Sequence, residues 1–230
     1  MRFAPIKKVK VSAQVAGSIR DAIVGGDYQP GDTLPPERDL ADQLGVNRSS
    51  IREAMLRLEA WGLVEIKHGA GARVANFLST AGLQLLPFLL APGGQLDPKW
   101  LIDLLELRVL LLGWTASQAT LRADPEAILE LEQILEEIEA ADAVSKVQEL
   151  DFDFFEKLVE LTDNRVLSLV SNAIKKVYLQ HRELFSAMYL NGLDTSFHQQ
   201  TLKAIRKKDA TKAGKAMSNY GRSAFERIAT

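Results

Sequence analysis

The stretch "LPPERDLADQLGVNRSSIREAMLRLEAWGLVEIKHGAG", residues 34–71, decides the fold of this chain. Pro35 and Pro36 open a short helix, because proline is tolerated in a first helical turn. That helix carries Leu40 and Leu44 inward, and Gly45 stops it. A second helix starts at Asn47, a good N-cap. Its apolar residues Ile51, Met55 and Leu58 recur at spacings of four and three, the mark of one buried face. Trp61-Gly62 ends it. Alternation then replaces the helical period: Leu63, Val64 and Ile66 on one run and Val74 on the other, with a Gly-rich turn between, predict a hairpin. The cluster Asn47-Arg48-Ser49-Ser50 is left at the exposed head of a helix with nothing catalytic beside it.

Upstream, Ser12 is a candidate cap for a helix whose Val15, Ile19, Ile23 and Val24 share a face, ended by Gly25-Gly26. "YQPGDTLP" is turn chemistry. Helix, helix, turn, helix and a two-stranded wing make a winged helix-turn-helix, expected over residues 1–75, with a linker at 76–80. Residues 81–230 read as an all-α bundle of about seven helices, so the chain is mainly α. Start signals recur at Asp97-Pro98, Asp124-Pro125, Asp194 or Thr195, and Asp209. Apolar spacings of three to four run through Leu101-Leu104-Leu105-Val109 and Phe154-Leu158-Leu161.

Composition excludes several classes. There is no Cys, so disulfides, thiolate metal sites and thiol nucleophiles are absent. The start, MRFAPIKKVKV, lacks the apolar run of a signal peptide. The longest apolar stretches are short or charged, which predicts a cytoplasmic protein without membrane contact. No Gly-rich loop matches a nucleotide-binding fingerprint. The Glu-rich run Glu130–Glu139 reads as the solvated face of a helix. The net charge is −2, unevenly spread: residues 1–78 hold 11 Lys and Arg against 9 Asp and Glu, and the totals of 28 and 30 leave 17 against 21 for the remainder. An anionic partner therefore belongs to the N-terminal part.

Helix-turn-helix geometry gives the polar cluster a use, because the first residues of the second helix enter the major groove. Arg48 can bind guanine through two hydrogen bonds, and Asn47, Ser49 and Ser50 are short enough to reach bases or phosphates. Arg52 follows one turn later, and Arg38 heads the preceding helix. His68-Gly69 forms the wing tip, flanked by Lys67 and Arg73. Taken alone, Ser-Ser beside Arg is an ordinary cap with solvated neighbours. The ordered combination of short helix, Gly turn, polar-tipped helix and Gly-tipped wing favours DNA reading.

These residues resemble the DNA-binding domain of GntR-type bacterial transcription regulators. The motifs are Leu-Pro-x-Glu-Arg, Gly-Val-x-Arg, Arg-Glu-Ala and a Gly-Leu followed by a His-Gly wing, over about residues 10–75. The helical remainder resembles the effector domain of the FadR subfamily, whose fatty-acid-responsive members are the nearest match. The resemblance implies a homodimer on a palindromic DNA operator, acting as repressor, activator or both, with affinity set by a small-molecule effector. It places DNA contacts at Glu37, Arg38, Asn47, Arg48, Ser49, Ser50, Arg52, His68 and Gly69. Ala70 stands where fatty-acid-responsive members carry a wing-tip lysine, a contact that Arg73 would have to replace.

Many members of this subfamily hold a metal through one Asp and three His. Here Asp151 and His198 remain, while Phe155 and Tyr220 stand at the other two positions. Phe cannot coordinate, so no metal and no cofactor are expected. The resemblance then implies long-chain acyl-CoA as effector, with another metabolite such as an organic acid as the alternative. Candidate ligand contacts are Arg108, Tyr178, Tyr220, Gly221 and Arg222. Arg108 lies on an otherwise apolar helix face and, if buried, needs a partner, with Glu106 and Asp151 as internal candidates. Ile228 replaces a tryptophan of the acyl-CoA-responsive members. An enzyme built on His198 with Asp151 or Glu156 would lack a nucleophile and an oxyanion donor set, so no enzymatic activity is expected.

Overall fold

The computed structural model describes residues 11–67, 71–186, 189 and 192–229. It divides into two compact units, Met1–Asp97 and Pro98–Thr230.

In the first unit, α1 (Val11–Val24) buries Val15, Ala16, Ile19 and Ile23 and packs on α3. Ser12 is not a cap. It lies inside α1 and is buried. Helix α2 (Glu37–Leu44) ends where Gly45 adopts the left-handed conformation that glycine takes without steric cost. Pro36 precedes α2 instead of sitting in its first turn. Helix α3 (Arg48–Ala60) is capped by Asn47 and buries Ile51, Ala54, Met55 and Leu58. Strands β1 (Val64–Lys67) and β2 (Gly71–Val74) pair antiparallel from Val64–Val74 to Lys67–Gly71. The segment read as turn contributes a third edge: Leu34 N–H donates to Ala72, Gly31 N–H to Val74, and Thr33 bridges Arg73.

The stretch expected to link the domains packs on this unit. It carries α4 (Phe77–Thr80), and α5 (Leu86–Leu90), from the stretch expected in the helical bundle, follows within the same unit. The Thr80 hydroxyl donates to the Gly62 carbonyl at 2.7 Å. Gly62, at φ +75°, lies so close to α4 that a Cβ would stand 2.5 Å from the Thr80 carbonyl oxygen. Phe88 lies 3.5 Å beneath the Arg20 guanidinium and stacks on Trp61. Apolar burial of Leu85, Leu89 and Leu90 accounts for the rest.

The second unit contains seven α-helices among its described residues: α6 (Pro98–Arg122), α7 (Pro125–Ala140), α8 (Val144–Leu161), α9 (Arg165–Gln180), α10 (Arg182–Ser186), α11 (Ser196–Arg206) and α12 (Ala210–Ala229). Asp124 caps α7 and Asn164 caps α9 through their side chains. Asp209 accepts the Lys212 N–H at the head of α12. Helices α6 and α12 touch along small residues. A Cβ on Gly214 would stand 2.8 Å from the Gly113 carbonyl oxygen and 2.1 Å from the Ser117 hydroxyl. Around this pair Leu112, Leu131, Phe154, Leu158, Ile205 and Met217 form one core with α7, α8 and α11. None of the described helices is long and apolar enough to cross a membrane.

Candidate functional site

Two regions concentrate functional side chains. At the head of α3, Asn47 accepts the Ser50 N–H at 2.8 Å and the Ser49 hydroxyl at 2.7 Å. The cap thus ties Asn47 and Ser49 to each other, fills Asn47 Oδ1, and leaves the Asn47 amide nitrogen as a donor and the Ser49 oxygen as an acceptor. Arg48 and Arg52 are exposed, and neither has an ion-pair partner among the described residues. Free cations at a helix N-terminus, where unpaired backbone N–H groups also point outward, make an anion-binding surface. Arg38 is exposed at the start of α2 and pairs with its neighbour Asp39 at 3.2 Å. Glu37, Arg52 and Lys67 line one groove between α2, α3 and the wing. His68, Gly69 and Ala70 lie outside the described residues. Arg73 is committed elsewhere: its Nε donates to the Gly31 carbonyl, which anchors the third edge of the wing.

In the second unit a narrow cavity of about 60 Å³ is lined by α6, α8, α9, α10 and α12 and by Tyr189. Its walls include Leu104, Leu111, Phe152, Phe155, Val177 and Met217, and its ionised groups are Arg108 and Asp151. Asp151 is the hub. Its Oδ2 accepts the hydroxyls of Tyr189 and Tyr220, each at 2.6 Å, and its Oδ1 lies 2.9 Å from His198 Nε2. The Arg108 guanidinium stands 4.0 Å from Oδ2 and over the Tyr220 ring. Burial opposes the Asp151 charge, but the hydrogen bond and charge of His198 and the charge of Arg108 outweigh it and lower its pKa. Burial likewise opposes the Arg108 charge, and Tyr220, Tyr189 and Asp151 overcome it, so its pKa is raised. Burial pushes the Tyr220 hydroxyl well up and that of Tyr178 to about 12, so both remain neutral hydrogen-bonding groups.

Of the expected ligand contacts, Arg108, Tyr178 and Tyr220 line this cavity. Gly221 and Arg222 do not. Gly221 faces α6, where a Cβ would meet Val109 and Leu112 at 3.1 Å, and Arg222 is exposed beside Asn219. Tyr189 was missed by the sequence reading. It lies between α10 and α11, where no helical period marks an inward position. Of the two internal partners expected for Arg108, Asp151 is the one it meets, and Glu106 is exposed.

The four positions at which the resemblance would place metal ligands do converge, but their chemistry does not fit a metal. Phe155 offers no ligand atom. Tyr220 is a neutral donor to Asp151, two hydroxyls occupy Asp151 Oδ2, and His198 Nε2 is engaged by Oδ1 directly. Among the described residues no three His, Cys, Asp or Glu side chains cluster as a metal site.

Comparison with known proteins decides the family. Residues 11–74 match "Bacterial regulatory proteins, gntR family" and residues 103–222 match the FCD domain. The chain is 37% identical over 176 residues to the HTH-type transcriptional regulator Rv0494 of Mycobacterium tuberculosis, covering 76% of this chain and 72% of that one. It belongs to the GntR family of transcription regulators. A helix-turn-helix domain precedes a helical FCD domain, and the chain is a regulator and not an enzyme. Two further relatives bear on its subfamily. The "Fatty acid metabolism regulator protein" of Pasteurella multocida is 31% identical over 76% of this chain and 71% of its own length. The "Uxu operon transcriptional regulator" of Escherichia coli K12 is 33% identical over 94% of this chain and 85% of its own. The first, with the two matched domains, places this GntR chain in the FadR subfamily.

Proposed function

We propose that this chain is an effector-controlled regulator of fatty-acid metabolism that binds a palindromic operator as a homodimer. The carrying observation is the pair of exposed, unpartnered cations, Arg48 and Arg52, on the first turns of a side-chain-capped helix in a helix-turn-helix. Arg48 reads a base in the major groove. Arg38, Ser49, Ser50 and Arg52 contact bases or phosphates around it, with Glu37 and Asn47 at the rim and His68-Gly69 at the wing tip. Dimerisation is supported by an apolar stripe on α6, where Leu107, Leu110, Trp114 and Leu121 share a face and are all exposed.

The effector occupies the bundle cavity. Apolar walls around a single cation suit a fatty acyl compound, either the acid or its coenzyme A thioester, the long-chain acyl-CoA expected from the sequence. Each buried methylene contributes about 0.8 kcal/mol. A second reading, a small organic acid without an acyl chain, draws on the Uxu operon regulator among the relatives and on the small volume of the cavity. Ligand binding controls DNA only through its differential affinity for two conformations of the protein.

Selection of bound sequences from random duplexes should return a palindrome. Arg48→Ala should weaken preference for it over scrambled DNA while the variant stays folded, and an unchanged preference in a gel shift would refute the placement of α3.

A further inference from the structure

We infer that the cavity of the second unit reads its ligand as an unesterified carboxylate, through Arg108 and without a metal ion. This deepens the effector reading above and rests on it. Hydrogen-bond capacity around the cavity singles out Arg108. The Tyr189 and Tyr220 hydroxyls each have one hydrogen and both give it to Asp151 Oδ2. The Tyr178 hydroxyl donates to the Gln148 carbonyl at 3.3 Å. His198 Nε2 is held at Asp151 Oδ1. His198 Nδ1 has no hydrogen-bond partner among the described residues, but His198 does not line the cavity. Of the described groups in the cavity wall, Arg108 alone has donors to spare. Its NH2 faces Asp151 at 4.0 Å, beyond hydrogen-bond length, and its NH1 is buried with no hydrogen-bond partner among the described residues.

A buried guanidinium nitrogen without an acceptor destabilises the empty protein, and a ligand that supplies one relieves that cost. The planar fork of arginine matches a carboxylate, which brings both the acceptor and the opposite charge. The existing carboxylate lies on the NH2 side, so a ligand carboxylate at NH1 shares one cation with Asp151 without competing for its oxygens. An alcohol or ester brings no charge to that nitrogen. A coenzyme A thioester carries phosphates that need cations of their own, and among the described residues Arg108 is the one cation in the cavity wall. Phe152, Phe155, Val177 and Met217 then receive the apolar tail.

The test uses the full-length chain, treated with EDTA, in calorimetric titrations with hexanoate, decanoate and oleate, with 1-decanol, and with oleoyl-CoA. Saturable binding of the acids is expected without added metal. Affinity should rise about four-fold per methylene until the cavity is filled. Decanoate should bind at least ten-fold tighter than decanol in the parent, and Arg108→Met should remove that preference while retaining decanol binding, which shows the cavity intact. Arg108→Lys should keep part of the preference, and covers the case in which Arg108→Met fails to fold. Equal affinity for decanoate and decanol in the parent overturns the inference. So does a preference that survives Arg108→Met, or binding of acids only after zinc is restored. Saturable binding of oleoyl-CoA with none of the acids overturns it while leaving the effector cavity standing. Binding of no compound in the series sinks the cavity reading itself.

Discussion

Arg48 and Arg108 occupy opposite environments, and the contrast explains how the two halves of the molecule work. Arg48 is exposed on the first turn of α3 and makes no ion pair among the described residues. It stays hydrated, and its charge is available to a polyanion at little cost in stability. Arg108 is held over the Tyr220 ring beside a buried carboxylate that three other side chains approach. There the same charge is costly to keep and responds strongly to whatever fills the adjoining cavity. On the proposed function, Arg48 is the exposed reader and Arg108 the half-buried sensor that the regulator couples.

The largest way to break this contrast is to remove the hub of the buried end. Asp151→Ala leaves two tyrosine hydroxyls, His198 and Arg108 without their shared acceptor, and should destabilise the bundle by about 3–5 kcal/mol. Denaturant unfolding followed by circular dichroism measures it, and a loss under 1 kcal/mol would show that the network contributes little. The same carboxylate sets an acid limit. Its folded pKa lies below the ordinary value of 3.8, so its stabilisation is present above that value and is lost as pH falls through the folded one. The melting temperature of the parent should therefore drop on acidification below about pH 4, and that of Asp151→Ala should drop less.

The exposed end was legible because its signals are local. Asn47, Gly45 and Gly62 act within a turn of their own position, and the caps and terminators read from them stand in the structure. The buried end was legible only in part. Arg108 stood out as a cation in an apolar run, whereas Tyr189 reaches Asp151 across 38 positions of sequence, and no spacing announces such a contact. The segment after the wing was read as a linker because it is short and weakly periodic. What binds it to the first unit is Gly62 against Thr80, and the stretch beyond it, expected in the bundle, is held there by Phe88 between Arg20 and Trp61; these contacts join residues too far apart for a periodicity to record.

The frame that holds the buried end is tested next. Gly214 lets α12 approach α6 to backbone contact, and Gly214→Val should cost about 1–3 kcal/mol through overpacking. If the variant melts like the parent, the two helices do not pack this closely in solution. A smaller and purely functional loss belongs to the exposed end. Arg48→Ala should remove about 1–3 kcal/mol of discrimination between operator and mismatched duplex. Folding should change by no more than about 0.5 kcal/mol, as for other surface positions. A destabilised Arg48→Ala protein would mean that Arg48 is bound into the fold, and the contrast with Arg108 would collapse.

Asn47 gives the smallest effect and separates the two roles that meet at the head of α3. Its Oδ1 is engaged by the Ser50 N–H and the Ser49 hydroxyl, so the side chain serves the helix before it serves any base. Asn47→Ala removes an acceptor from the first turn and should cost about 1 kcal/mol of stability. Asn47→Asp keeps the cap, since aspartate caps as well as asparagine, and it places a negative charge beside the helix dipole where stability tolerates it. The same charge faces the phosphates in a complex, so operator affinity should fall although the protein unfolds at the parent's denaturant concentration. Measuring both variants by chemical denaturation and by gel shift separates capping from reading. If Asn47→Asp bound operator as the parent does, this rim of α3 would lie outside the reach of the DNA backbone, and Arg48 would have to read its base from a helix tilted away from it.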